Sequence, residues 1–275
     1  MTSMVSTIPM ASMSAAGGGP VSRIVGSGPD LALISGWGLG AATWGPVVDT
    51  LAARCRVHLV ELPGYGAMPP DDAGFVETAQ AIAAALPDGV ALCGWSLGAL
   101  LALQAALEVA PSAPQRIARL ILVGATPSFM QRADWAPAQP PALLDAFAAA
   151  VREDAGATLQ RFAALLNQGD AQARRLTRAL AGAPGGALPD TSALAAGLRW
   201  LREVDLRAQL PAVAAPTLLI HGERDPLMPL AAAQWLAERL PDARLASFAE
   251  SAHAPFLADP ARFCALVADF CGAPR

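Results

Sequence analysis

Gly94-Trp95-Ser96-Leu97-Gly98 stands where a short apolar run, Val90 to Gly94, passes without a linker into a long one, Leu97 to Ala110. The first has the length and composition of a buried strand and the second that of a buried helix. A serine between them lies in a nucleophile elbow. Its Oγ is exposed above the sheet edge, and the N-terminus of the following helix points at it. Glycines two residues before and after Ser96 remove the Cβ atoms that would collide where strand and helix cross. The main-chain N–H of Leu97 is then free to donate to an oxyanion.

An activated serine needs a base, and the base needs an orienting carboxylate. Behind an elbow serine they follow in the chain order acid, then base. There are three histidines. His58 precedes the serine, inside Val57-His58-Leu59-Val60-Glu61-Leu62, and reads as a satisfied strand histidine. His221 ends the apolar run Thr217 to Ile220 ahead of any acid that could orient it, and reads as an anchor for the loop Gly222-Glu223-Arg224-Asp225-Pro226. His253 lies in Ser251-Ala252-His253-Ala254-Pro255-Phe256, after the last strand-like run and before a closing helix, and is the expected base. Asp225 follows the strand that ends at Ile220 and precedes Pro226, which blocks helix continuation. It is the expected acid, with Glu223 as a neighbouring alternative. The second oxyanion donor is expected in the loop after an earlier strand. Leu31 to Ile34 followed by Ser35-Gly36-Trp37-Gly38 has that form, so the Trp37 N–H pairs with that of Leu97.

Strand-like runs at Leu31 to Ile34, His58 to Leu62, Val90 to Gly94, Leu120 to Val123, Thr217 to Ile220 and Arg244 to Phe248 alternate with helical stretches. This predicts an α/β fold with a mostly parallel sheet covered on both faces. From about Thr126 to Leu210 strand signals stop and alanine-rich amphipathic helices take over, interrupted at Ala183-Pro184-Gly185-Gly186. The division expected is a disordered extension over 1–20, core over 21–125, a helical cap over 126–208 and core again over 209–275. The cap follows the strand before Gly124 and precedes the one before Asp225, so it lies over the nucleophile and excludes water from it.

The chain has 275 residues and a formal net charge of −4, which argues against a general nucleic-acid binder. No apolar run approaches the ~20 residues that cross a bilayer. The first twenty residues lack the basic start and continuous apolar segment of a secretory signal. Cys55, Cys93, Cys264 and Cys271 have neither metal-ligand spacing nor the density of a disulfide scaffold. The expectation is a cytoplasmic monomer with reduced core thiols and neither metal nor cofactor. Charge is uneven: Arg161 to Arg178 holds four arginines against one acid, Asp170. This is either a solvated helix face or a docking patch for an acidic partner.

Ser35-Gly36-Trp37-Gly38-Leu39, Leu62-Pro63-Gly64-Tyr65-Gly66, Gly94-Trp95-Ser96-Leu97-Gly98 and His253-Ala254-Pro255-Phe256 together resemble the pimeloyl-[acyl-carrier protein] methyl ester esterase family of α/β-hydrolases, from about Leu31 to the C-terminus. The resemblance implies an α/β-hydrolase fold and a serine carboxylesterase of biotin synthesis whose partner is an acyl-carrier protein. It places Trp37, Ser96, Leu97, His253, Phe162 and Leu166 around the substrate. Arg161, Arg174 and Arg178 match in spacing the cap arginines that grip the acidic carrier. Three positions depart from the family pattern: Ser35 for a histidine, Met68 for a serine and Leu166 for a glutamine, the last leaving chain-length preference open. The alternatives are an α/β-hydrolase acting on small free esters or carbon–carbon bonds, with the same triad, and a non-catalytic ligand receptor, against which the intact triad speaks.

Overall fold

The computed structural model describes residues 19–181 and 188–273. The glycine-proline interruption expected at 183–186 and most of the N-terminal extension lie outside those residues. Seven strands form one sheet: β1 (Val21–Val25), β2 (Asp30–Ile34), β3 (Arg56–Val60), β4 (Val90–Trp95), β5 (Ile117–Val123), β6 (Thr217–Gly222) and β7 (Ala243–Phe248), in the order β1-β3-β2-β4-β5-β6-β7. All pairs are parallel except β1 with β3. The six expected strands are present, five within two residues of their predicted ends and β5 starting three residues earlier than expected, and β1 is added. It pairs with one neighbour only and leaves Ser22, Arg23 and Ile24 exposed, so it carries no continuous apolar signal. Strands β4 and β6 are buried at every position, as helices on both faces require.

Six helices pack on the sheet: α1 (Gly45–Ala52), α2 (Phe75–Ala85), α3 (Leu97–Val109), and, after β6, α8 (Leu230–Arg239), α9 (Pro255–Ala258) and α10 (Pro260–Phe270). Between β5 and β6 stand four more: α4 (Pro141–Glu153), α5 (Ala155–Leu166), α6 (Ala173–Ala181) and α7 (Thr191–Glu203). Asp154 and Asp190 cap α5 and α7, accepting main-chain N–H bonds from Ala157 at 2.9 Å and Ser192 at 2.8 Å. The sheet order reverses between β2 and β4, one running outward to β3 and the other to β5. Their carboxyl ends flank the crevice in which open α/β sheets bind ligands.

Helix α3 leaves β4 so sharply that its first turn touches the end of β2. A Cβ at Gly98 would lie 2.5 Å from the carbonyl oxygen of Ile34 and 2.6 Å from that of Ser35, and one at Gly94 would meet the carbonyl of Gly98. Gly98→Ala is expected to destabilise the fold by about 2–3 kcal/mol, read as a lowered urea midpoint; an unchanged midpoint would mean that β2 and α3 separate readily.

Candidate active site

Ser96 connects β4 to α3 with φ 59° and ψ −119° and, among the described residues, is the one non-glycine with positive φ. Strain of this kind persists only where neighbours fix it. Here the Ser96 N–H donates to the carbonyl of Val123 in β5 at 2.9 Å, and the Ser96 carbonyl accepts from Ala99 and Leu100 in α3.

Asp225 and His253 meet directly, with His253 Nδ1 2.6 Å from Asp225 Oδ2 and both side chains sealed from solvent. Asp225 Oδ1 accepts from the N–H groups of Leu227 and Met228 at 2.9 and 2.8 Å. A carboxylate so supplied keeps the proton of His253 on Nδ1 and leaves Nε2 as the acceptor. Nε2 is buried with no hydrogen-bond partner among the described residues. Burial alone would raise the Asp225 carboxyl, but the hydrogen-bonded imidazole of His253 and then the Met228 N–H hold it below its ordinary value. His221 Nε2 lies 2.7 Å from the carbonyl of Met228 and 3.6 Å from Asp225 Oδ2. Burial lowers the His221 pKa, so it stands neutral and donates from Nε2, closing the loop that presents Asp225. Glu223 points elsewhere, accepting from Ser247 Oγ at 2.7 Å. His58 pairs with Asp30 at 2.6 Å at the start of β2.

The ring of His253 lies against Gly124, where a Cβ would come within 3.0 Å of Nδ1 and Cε1, and its centroid is 5.5 Å from that of Trp95. Trp95 Nε1 donates to the His253 carbonyl at 2.7 Å. The His253 imidazole is therefore fixed beside the ends of β4 and β5, where Ser96 emerges. Ser96 Oγ has no hydrogen bond among the described residues, and Trp95, the residue before it, carries the contact with His253.

The loop after β2 reaches the same point. A Cβ at Gly36 would stand 3.1 Å from Ser96 Cβ. The N–H of Gly38 is occupied by Tyr65 Oη at 3.0 Å, whereas the N–H groups of Trp37 and Leu97 have no acceptor among the described residues. Tyr65 itself is pushed up to about 12 by burial, so its hydroxyl stays protonated.

Above this floor sits an aromatic cluster. The Trp37 ring meets Phe162 of α5 edge-on at 5.0 Å and Phe147 of α4 at 5.7 Å, and the two phenylalanines meet at 5.5 Å. Trp37 Nε1 donates to the carbonyl of Leu194 in α7 at 2.9 Å. Leu166, expected at the pocket, is buried and its carbonyl accepts the His253 N–H at 3.1 Å. Phe147, Trp95 and Asp170, whose Oδ2 accepts the Ala252 N–H at 3.0 Å, also build the site and were not expected there. A cavity of about 360 Å³ opens beside the cluster, between Gly38, Leu39, Tyr65 and Leu159. A larger one of about 780 Å³ lies between α4 and α7, away from the triad, with Arg152, Arg199 and Arg202 on its wall. The smaller begins at Gly38, the residue after Trp37.

Arg161, Arg174 and Arg178 are exposed on α5 and α6, which pack together, and none meets a carboxylate among the described residues. Among those residues no group of three metal-ligating side chains occurs, and no helix is long and apolar enough to cross a membrane. Cys55, Cys93, Cys264 and Cys271 are all free and buried.

The chain belongs to the α/β-hydrolase family, whose model matches residues 31–266. Within that family it is similar to the pimeloyl-[acyl-carrier protein] methyl ester esterase of Aromatoleum aromaticum, at 43% identity over 88% of this chain and 97% of that protein. The enzyme of the same name from Nitrosomonas europaea is 41% identical, covering 86% of this chain and 94% of its own length. Among solved structures, an esterase from Exiguobacterium antarcticum shares the fold with a TM-score of 0.81 at 23% identity, over 91% of this chain and 94% of that one. A hydrolase from Pseudomonas aeruginosa gives 0.72 at 27%, over 91% and 93%.

A carboxylate depressed in the fold stabilises it fully above its unfolded pKa, near 3.9, and that contribution is lost as pH falls through the lower folded value. Below about pH 4 the denaturation midpoint of the parent should therefore fall more steeply with acid than that of Asp225→Asn; parallel curves would mean that Asp225 is not depressed.

Proposed function

We propose that this chain is a serine carboxylesterase that hydrolyses the methyl ester of a pimeloyl group held on an acyl-carrier protein, in biotin synthesis. The observation that carries the chemistry is the buried pair of Asp225 and His253, with Nε2 of the imidazole left open beside a strained Ser96. The similarity over nearly the whole length to the two named esterases supports the substrate.

In this reading Ser96 Oγ attacks the ester carbonyl while His253 Nε2 takes its proton and Asp225 steadies the imidazolium. The N–H groups of Trp37 and Leu97 stabilise the tetrahedral oxyanion. Collapse expels methoxide, which receives the proton from His253 and leaves as methanol. Water deprotonated by the same nitrogen attacks the acyl-enzyme, and the carboxylate is released as Ser96 is reprotonated. Residues 126–208 act as the cap over a core made of 21–125 and 209–275. Trp37, Phe162 and Leu166 supply apolar walls for the acyl chain. Arg161, Arg174 and Arg178, exposed and without carboxylate partners among the described residues, offer the acidic carrier a basic surface that raises its encounter rate. The protein acts as a cytoplasmic monomer.

The test is methanol release from the carrier-bound methyl ester. Ser96→Ala, Asp225→Ala and His253→Ala should each lower it by several orders of magnitude with the fold intact, their losses not adding because the three form one proton-transfer unit. Near-parental turnover by Ser96→Ala would remove the serine mechanism.

Replacing Arg161, Arg174 and Arg178 together by alanine should raise KM for the carrier-bound ester and flatten its salt dependence, with little change on a small free ester. Equal losses on both would make the arginines supports of the cap, and unchanged kinetics on both would remove the docking surface.

A further inference from the structure

His253 is carried on a segment without regular structure, residues 249–254, between β7 and α9. Much of what orders this segment comes from the turn that links α5 to α6. The carbonyl of Leu166 accepts the His253 N–H at 3.1 Å, and the carbonyl of Glu250 accepts the Ala171 N–H at 3.2 Å. Between these lies Asp170, buried to 7% exposure. Its Oδ2 accepts the N–H of Ala252, the residue before the base, at 3.0 Å, and its Oδ1 accepts the N–H of Gln172 at 2.7 Å. No arginine or histidine meets the Asp170 carboxylate among the described residues; its contacts are main-chain donors. Arg224 donates to the Gly169 carbonyl at 3.2 Å and pairs with Glu250 at 2.7 Å, tying the edge of the same junction to the loop of Asp225.

A hydrogen bond to an ionised acceptor is shorter and roughly twice as strong as a neutral one. A buried carboxylate left without its donors is costly, so this turn and the histidine loop hold one another in register. We propose that Asp170 is a positioning residue: through the Ala252 N–H it fixes the height of the His253 ring above the sheet, and so couples the inserted helices to the base. It does not touch substrate. Asp225 sets the rotation and tautomer of the imidazole, and Asp170 sets the placement of the main chain that bears it. The inference rests on the esterase reading only in taking His253 as the base.

The experiment compares Asp170→Ala and Asp170→Asn with the parent on a short p-nitrophenyl ester, counting competent serines with a fluorophosphonate probe. Asp170→Asn has one side-chain oxygen for the two N–H groups that the carboxylate serves, so turning it to Ala252 sets its amide against Gln172, and kcat should fall less than in Asp170→Ala. Asp170→Ala removes the acceptor and should lower kcat per labelled serine by about 10–100-fold, the range for a catalytic group displaced by about 1 Å, with KM within about twofold. If Asp170→Ala does not fold, Asp170→Ser carries the same expectation, since its hydroxyl can serve Gln172 but is too short to reach Ala252. The proposal is overturned if the truncated variant stays within threefold of the parent, if alanine (or serine) and asparagine lose equally, or if the loss is wholly one of labelled serine. Failure of the parent itself to hydrolyse the ester would instead strike the esterase reading.

Discussion

The backbone of Ser96 is the constraint on which the rest of the site depends. A non-glycine residue at φ 59° and ψ −119° costs on the order of 1–3 kcal/mol, and the chain turns from strand to helix there with no intervening loop. What offsets the cost is local and specific. Hydrogen bonds to Val123 on one side and into the first turn of α3 on the other leave the serine little freedom to relax, and the absence of Cβ atoms at Gly94 and Gly98 lets β2, β4 and α3 close together. That closeness brings the loop of Trp37 against Ser96, so the strain at one residue also determines where the Trp37 main chain stands.

The electrostatics around this point are arranged by burial. Asp225 is fully enclosed yet remains the ionised partner, because one oxygen is engaged by His253 and the other by two main-chain N–H groups. His221, pressed close to the same carboxylate, avoids competing for it by staying neutral and turning its N–H to the Met228 carbonyl. Tyr65 performs a comparable selection among donors. By engaging the N–H of Gly38 it takes that donor out of the loop, whereas the N–H of Trp37 has no acceptor among the described residues.

Much of this was legible in the sequence wherever the signal is local. The elbow is five consecutive residues, and Asp225 and His253 each sit in a short loop after an apolar run, so chain order alone pointed to the pair that these two form. The strands announced themselves as continuous apolar runs because both faces of the sheet are covered. β1 did not, since an edge strand with exposed positions needs no such run. The contacts that depend on folding over long separations were also illegible. Asp170 and Ala252 lie 82 positions apart, and nothing around Asp170 distinguishes it from a solvated turn residue. Phe147 is one aromatic in an alanine-rich helix, and its place on Trp37 follows only from how α4 crosses α5.

Gly197 has a consequence for the inserted helices. It stands in the middle of α7, where glycine costs about 1 kcal/mol in helix propensity relative to alanine. A Cβ there would come within 2.5 Å of Trp37 Cδ1 and 3.2 Å of Leu97 Cδ2. The helix thus gives up intrinsic stability for proximity, and its central turns hold their shape by resting on Trp37 and Leu97, which flank Ser96. An α7 detached from that support would be a poor helix, so order in the roof and readiness of the floor rise and fall together.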